Sequence, residues 1–286
     1  MKKNVSSLIS HIRHYLNSRK IFLFFLAPYL IFVACTYTDF GISIDEPIEY
    51  QFGEMLYART FGKDPTLIRD FAIEQENSRE IWAYNHFHTM VLYMANDSGD
   101  ISVYHGLNLL FALLGYLVVF ELIVLATGSY RFGLGGSFIL AFIPRFFGDV
   151  PANVKDPVFA IYYVLSLLLI LYAPKMPSVL RIVSLSLAFG LASASRMLGY
   201  TLIPLYLVTS LYALILQKKI TRSSLLVLLT ETLGIALVTI AVHAFQMPFV
   251  ATNPAQNLLR LAQIAQSYPW QGSMLYMGEN VLSTDL

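Results

Sequence analysis

VYHGLNLLFALLGYLVVFELIVLA, residues 103–126, decides the fold class. The run holds a single charged side chain, Glu121. As a helix rising 1.5 Å per residue it extends about 36 Å, and a bilayer's hydrocarbon core is about 30 Å thick. Comparable runs occupy 21–38, 132–150, 157–173, 179–195, 198–216 and 224–245. The sequence therefore predicts an all-α polytopic transmembrane bundle of about seven spans.

Composition points the same way. Residues of the AVILMFWYC set make up 56% of the 286, charged residues only 13%, and mean hydropathy is +0.60. Soluble domains carry about 25% charged residues, so an aqueous surface would be hard to cover. The single cysteine, Cys35, excludes an intramolecular disulfide framework and a zinc–thiolate cluster. No small-residue cleavage site follows the first run, which reads as an uncleaved signal anchor.

Charge sorts by side. With the N-terminus cytoplasmic, that side takes Lys2, Lys3, Arg13, Arg19, Lys20, Arg131, Lys175, Arg181, Lys218, Lys219 and Arg222, and no acid. The opposite side takes the other eight basic residues and every acid except Glu121 and Glu231, which fall inside spans. Lys and Arg in short loops mark the cytoplasmic side. The expected localisation is a multi-pass integral membrane protein, of a bacterial inner membrane, with a cytoplasmic N-terminus and its polar working face outside. Glu121 and Glu231 lie near span ends, where they reach the interface or sit protonated; a proton relay is the alternative. Gly133, Gly135, Gly136 and the run 190–195 suit close helix packing.

Two polar segments stand apart from the spans, a first external loop at 39–101 and a last external segment at 246–286. In the first, Asp45 reads as an N-cap, Pro47 as a first-turn residue and Gly62 as a terminator. Ile48, Phe52, Met55 and Leu56 then share one face, with Glu49 and Gln51 elsewhere. That pattern describes an interfacial amphipathic helix. Its acidic start, Asp45-Glu46, has two readings: cap and helix-dipole partner, or reacting carboxylates at the membrane surface. Asn253-Pro254 opens a second such helix through Leu258, Leu261, Ala262 and Ala265. Tyr268-Pro269-Trp270 follow at headgroup level.

The second external connection runs from Pro144-Arg145-Phe146-Phe147-Gly148 to Asn153-Val154-Lys155-Asp156-Pro157. Asp156 before Pro157 suffices as a helix cap. Arg145, Asn153 and Lys155 nevertheless bring two cations and an amide to one depth, the groups a phosphate needs. Arg196, where the fifth span reaches the outer face, either snorkels or adds a third cation. His86 and His88 would share a face in a strand and diverge in a helix. No further ligands are spaced to help them, so no metal is assigned.

The acidic pair after the first span, the Pro144–Pro157 stretch, the Ser195-Arg196 junction and Pro269-Trp270 to Gly278-Glu279 together resemble the membrane-embedded GT-C glycosyltransferases. The likeness is to the protein O-mannosyltransferase-like group, glycosyltransferase family 39. The resemblance implies inverting transfer of a sugar from a polyprenyl-phosphate donor to a protein, lipid or glycan acceptor at the non-cytoplasmic face. It implies Asp45 as catalytic base, Glu46 positioning acceptor or helix, and Asp156 as the second acidic position. Arg145, Asn153, Lys155 and Arg196 would serve the substrate, the cations stabilising the departing phosphate. Membrane lipid is a partner; nucleic acid, metal and cofactor are not called for. Family members continue for further spans, so 1–286 reads as a single GT-C-like transmembrane domain and the N-terminal part of a longer architecture. An inactive truncated homologue and a transporter or lipid flippase are the competing readings. A transporter should hold polar groups near the midplane, and the interiors of these spans are nearly bare.

Overall fold

The computed structural model describes residues 20–43, 45–62, 86–96, 98–266, 273–276 and 279–282. The basic residues before Lys20, all of 63–85 and Tyr268–Trp270 fall outside the described residues. The described chain is helical apart from one short hairpin. In order, α1 is Leu23–Thr36, α2 Glu46–Phe61, α3 His86–Ala95, α4 Ile101–Thr127, α5 Tyr130–Phe142 and α6 Pro144–Asp149. They are followed by α7 Asp156–Tyr172, α8 Ser178–Ser195, α9 Leu202–Leu216, α10 Arg222–Gln246, α11 Pro248–Thr252 and α12 Pro254–Gln266. Strand β1 (Ser273–Tyr276) pairs antiparallel with β2 (Glu279–Leu282). This hairpin, within the last polar segment, was not anticipated from the sequence.

Among the described residues, five helical segments are long and apolar enough to cross a membrane: Ile101–Thr127, Asp156–Lys175, Ser178–Ser195, Met197–Leu216 and Arg222–Gln246. The stretch Lys20–Thr36 is a shorter apolar helix. The expected span at 132–150 is divided. Ile143 takes an extended conformation (φ −69°, ψ 113°) between α5 and α6, because Pro144 disfavours the helical region for the residue before it. Even so, α5 and α6 carry the chain back to the end of the bundle where α4 starts. There the Asn108 side-chain amide donates to the Pro151 carbonyl at 2.7 Å.

The two largest apolar cores among the described residues hold the bundle. One joins α1, α4 and α5 through Phe25, Tyr29, Tyr116 and Phe120, with Phe25 and Tyr116 edge to face at 4.9 Å. The Tyr29 hydroxyl donates to the Leu109 carbonyl at 2.8 Å, satisfying the one polar atom this core buries on that ring. The other core joins α7 to α10 through Leu185, Phe189, Leu202, Tyr206 and Ile235. Outward-facing Phe24, Phe132, Phe142, Val179 and Leu237 are exposed, more apolar surface than a water-soluble monomer presents.

Close packing relies on glycine at several contacts. A Cβ on Gly190 would lie 2.5 Å from Val242 Cβ, where α8 crosses α10. One on Gly53 would lie 2.4 Å from the Thr89 carbonyl carbon, where α2 crosses α3. Gly133 is also crowded, against Val124 and Phe120, whereas Gly135 has open space.

α2 departs from the one-sided helix read in the sequence. Phe52, Met55 and Leu56 are buried, but so are Glu46, Glu49 and Tyr50, and Ile48 is exposed. The cause is tertiary: α3 covers one side of α2, and the α6–α7 loop together with α4 covers the other. At the opposite end of the bundle Glu231 finds a partner within the protein. It pairs with Arg181 and accepts from the Tyr206 hydroxyl at 3.3 Å.

Candidate active site

Four chain segments meet at one end of the bundle: the start of α2, the first turns of α4, the α6–α7 loop and the end of α8. Asp45 precedes α2 with helical backbone angles (φ −85°, ψ −25°) and makes no side-chain capping bond. Its carboxylate instead accepts from Lys155 Nζ at 2.8 Å. The next residue, Glu46, ties the start of α2 to the segment before it, its carboxylate Oε2 accepting from the Ser43 N–H at 2.5 Å. The expectation that Asp45 caps the helix is corrected on this point: the Lys155 cation outcompetes a neutral amide for the carboxylate.

Glu46 is fully buried and fully engaged. Its Oε1 accepts from the Tyr50 hydroxyl at 3.2 Å and from His105 Nε2 at 2.7 Å. A carboxylate only accepts, so His105 carries its proton on Nε2. The other ring nitrogen, Nδ1, has no hydrogen-bond partner among the described residues. Beneath this lies a second chain of bonds. His88 Nε2 donates to Asn108 Oδ1 at 2.8 Å, and Asn108 passes its own donor to Pro151. Burial pushes His86 down to about 3 and His88 down to about 4, so both are neutral at ordinary pH. They sit two apart on α3, hence on diverging sides of a helix, and no cluster of three metal-ligating side chains forms among the described residues.

Asn153 organises the α6–α7 loop. Its Oδ1 accepts from the N–H groups of Lys155 and Asp156, both at 3.0 Å, and its Nδ2 donates to Asp156 Oδ2 at 3.3 Å. Asn153 therefore caps α7, a task the sequence reading assigned to Asp156. Freed from it, Asp156 pairs with Arg196, whose Nε donates to Oδ1 at 3.0 Å. Arg196 stands on an extended residue (φ −151°, ψ 135°) between α8 and a 3₁₀ turn, which aims its guanidinium across to α7.

Lys155 is the junction of the cluster. Its Nζ lies 2.8 Å from Asp45 Oδ2 and 2.8 Å from Glu49 Oε1, and its side chain is only 11% exposed. Asp45 is 60% exposed and Glu49 6%. Burial pushes the Glu49 carboxyl above the usual carboxylate range, against the downward pull of Lys155 and Arg196. Its Oε2 has no hydrogen-bond partner among the described residues. One carboxylate thus faces solvent and one faces the interior, with a single ammonium between them.

Of the residues singled out in the sequence, Asp45, Glu46, Asn153, Lys155, Asp156 and Arg196 come together. Arg145 does not join them: its side chain is 82% exposed and pairs with Asp149 one turn on, at 2.8 Å. Sequence reasoning missed Glu49, Tyr50, His105 and Asn108. Glu49 was findable, because it stands four residues after Asp45 and three after Glu46, the spacing that shares a helix face. His105 and Asn108 carried a weaker signal, as polar residues three apart in an otherwise apolar span. Compared with known protein families, curated proteins and solved structures, the chain has no match.

Proposed function

We propose that this end of the bundle is a glycosyl-transfer site at the non-cytoplasmic membrane face. The substrate is a sugar linked to polyprenyl phosphate, and transfer to an acceptor hydroxyl inverts the anomeric carbon. The observation that carries the reading is the Asp45–Lys155 pair: a solvent-accessible carboxylate 2.8 Å from a sheltered ammonium, with Arg196 beyond Asp156. Asp45 takes the acceptor's proton as the hydroxyl oxygen attacks the anomeric carbon. The bond from that carbon to the phosphate oxygen breaks, and the lipid phosphate leaves with its electron pair. Lys155 and Arg196 stabilise the negative charge gathering on the leaving group.

The remaining residues hold these in place. Glu46 is a buried strut joining α2 to α4 rather than a group that meets substrate. Asp156 and Asn153 fix the α6–α7 loop and orient Arg196. Seven membrane segments, with α5 and α6 acting as one interrupted segment and α2 and α12 lying at the interface, complete the proposed topology in a bacterial inner membrane. The location of the polar cluster at one end of the helices, not at mid-depth, supports a surface reaction over a transport pathway.

The test uses the protein in vesicles that expose its outer face, supplied with labelled polyprenyl-phosphate sugars. Release of lipid phosphate is the readout. Asp45→Asn should lower turnover by about 10²–10⁴-fold, the usual contribution of a positioned general base, while lipid binding persists. Turnover at the parental rate would remove Asp45 from the role.

A further inference from the structure

The cluster holds more acid than base. Asp45, Glu49 and Asp156 are three carboxylates facing two cations, Lys155 and Arg196. Glu46 adds a fourth, engaged by His105. A phosphate brings further negative charge, and both cations already have carboxylate partners. Something must change protonation for the anion to be accepted. Glu49 has the geometry for it. It is sheltered, it shares Lys155 with the exposed Asp45, and its second oxygen, Oε2, has no hydrogen-bond partner among the described residues.

We propose that Glu49 is the proton-accepting partner of the anion seat: a phosphate ester binds together with one proton, which Glu49 takes up as Lys155 turns from Glu49 to the ligand. This rests on the glycosyl-transfer reading for the identity of the anion. In the empty site the Lys155 N–H is donated to Glu49 Oε1. In the bound site that N–H goes to a phosphate oxygen, and a proton from solvent occupies the Glu49 carboxyl. Proton uptake raises the charge of the protein by one, offsetting one negative charge of the ligand, and no bond other than the new O–H is made or broken. Burial already favours the neutral acid at this position.

Other groups around Glu49 are less able to serve. Asp45 is largely exposed, and its charge is solvated by water. Asp156 keeps Arg196 and Asn153. From α3, packed along α2, the nearest titratable groups are His86 and His88, both held neutral by burial. From α4, His105 is engaged by Glu46. Arg196, from the end of α8, acts on Glu49 only as a distant cation.

The experiment is calorimetric titration of the full chain in zwitterionic lipid nanodiscs with farnesyl phosphate and, separately, farnesyl sulfate. The sulfate ester does not titrate near neutrality, so any proton it draws in enters the protein. Repeating the titration in buffers of different ionisation heat counts protons per ligand. We expect about one proton taken up per sulfate bound at pH 8, and affinity falling about tenfold per pH unit from there upward, as linkage requires. Glu49→Gln should bind with no uptake and no pH slope, and Glu49→Asp should restore both. Binding by the unaltered chain without proton uptake overturns the inference and leaves the transferase reading standing. Uptake that persists in Glu49→Gln also overturns it. Failure of both esters to bind overturns the reading on which it rests.

Discussion

Lys155 is the residue on which the site turns. Replacing it by Met leaves Glu49 buried beside no cation, and breaking a buried pair from one side costs about 3–5 kcal/mol. We expect Lys155→Met near the lower end of that range, because the Asp45 side of the pair is solvated. The double variant Lys155→Met/Glu49→Gln should regain most of the loss in thermal unfolding; no recovery would mean that Lys155 supports the fold by another route. The pH dependence has a definite sign. Folding raises the Glu49 carboxyl above its ordinary value, so its contribution is fully favourable below that ordinary value and is lost as pH rises through the raised one. In Lys155→Met the decline should steepen over this window, and Glu49→Gln should abolish it. Arg145 makes a contrast. An exposed pair one turn apart is worth about 0.3–0.5 kcal/mol, and Arg145→Ala should change neither unfolding nor phosphate-ester binding measurably.

Helix pairs are built on a few glycines, and these separate by position rather than by type. Gly53→Ala places a methyl against the α3 backbone, which has no flexible end to move aside. The expected loss is about 1–3 kcal/mol, as for overpacking generally, together with loosening of the start of α2 and hence of Asp45. Gly135→Ala meets open space and should stabilise by about 0.5–1 kcal/mol, the ordinary gain of alanine over glycine in a helix. Thermal unfolding of the two variants in one detergent compares them directly. Equal effects would mean that α2 and α3 do not pack as described.

At the scale of the whole molecule, the polar cluster requires the start of α2, the start of α4, the α6–α7 loop and the end of α8 to share one side of the membrane. Labelling of single cysteines tests this, with Cys35 first replaced by Ala. Gln51→Cys and Lys218→Cys both lie at exposed positions. Position 51 should react with an impermeant maleimide only from the non-cytoplasmic side and position 218 only from the cytoplasm. Labelling of both from the same side would exclude the alternation of spans. Glu46 is unsuitable for this purpose, being fully buried.

The sequence by itself determined the helical class, the position of the long apolar helices and the extent of α2 from Glu46 to the Gly62 terminator. These follow from local rules: apolar length, first-turn proline and a glycine that accepts positive φ, here 67°. Pro144 was equally visible, yet the run 132–150 looked continuous, because hydropathy does not register a backbone break. What only the tertiary structure decided is how the polar residues divide their labour. Asp45 and Asp156 both looked like caps, and both are instead partners of cations from distant segments, Lys155 and Arg196. Asn153 caps α7, and Glu46 ties the start of α2 back to Ser43. Glu49 looked like an outward polar residue and is enclosed. The physical reason is that a short-range pattern specifies which backbone groups need a partner. Which carboxylate is left over for a cation depends on what packs against the helix, and α3, α4 and the α6–α7 loop are brought there by the fold.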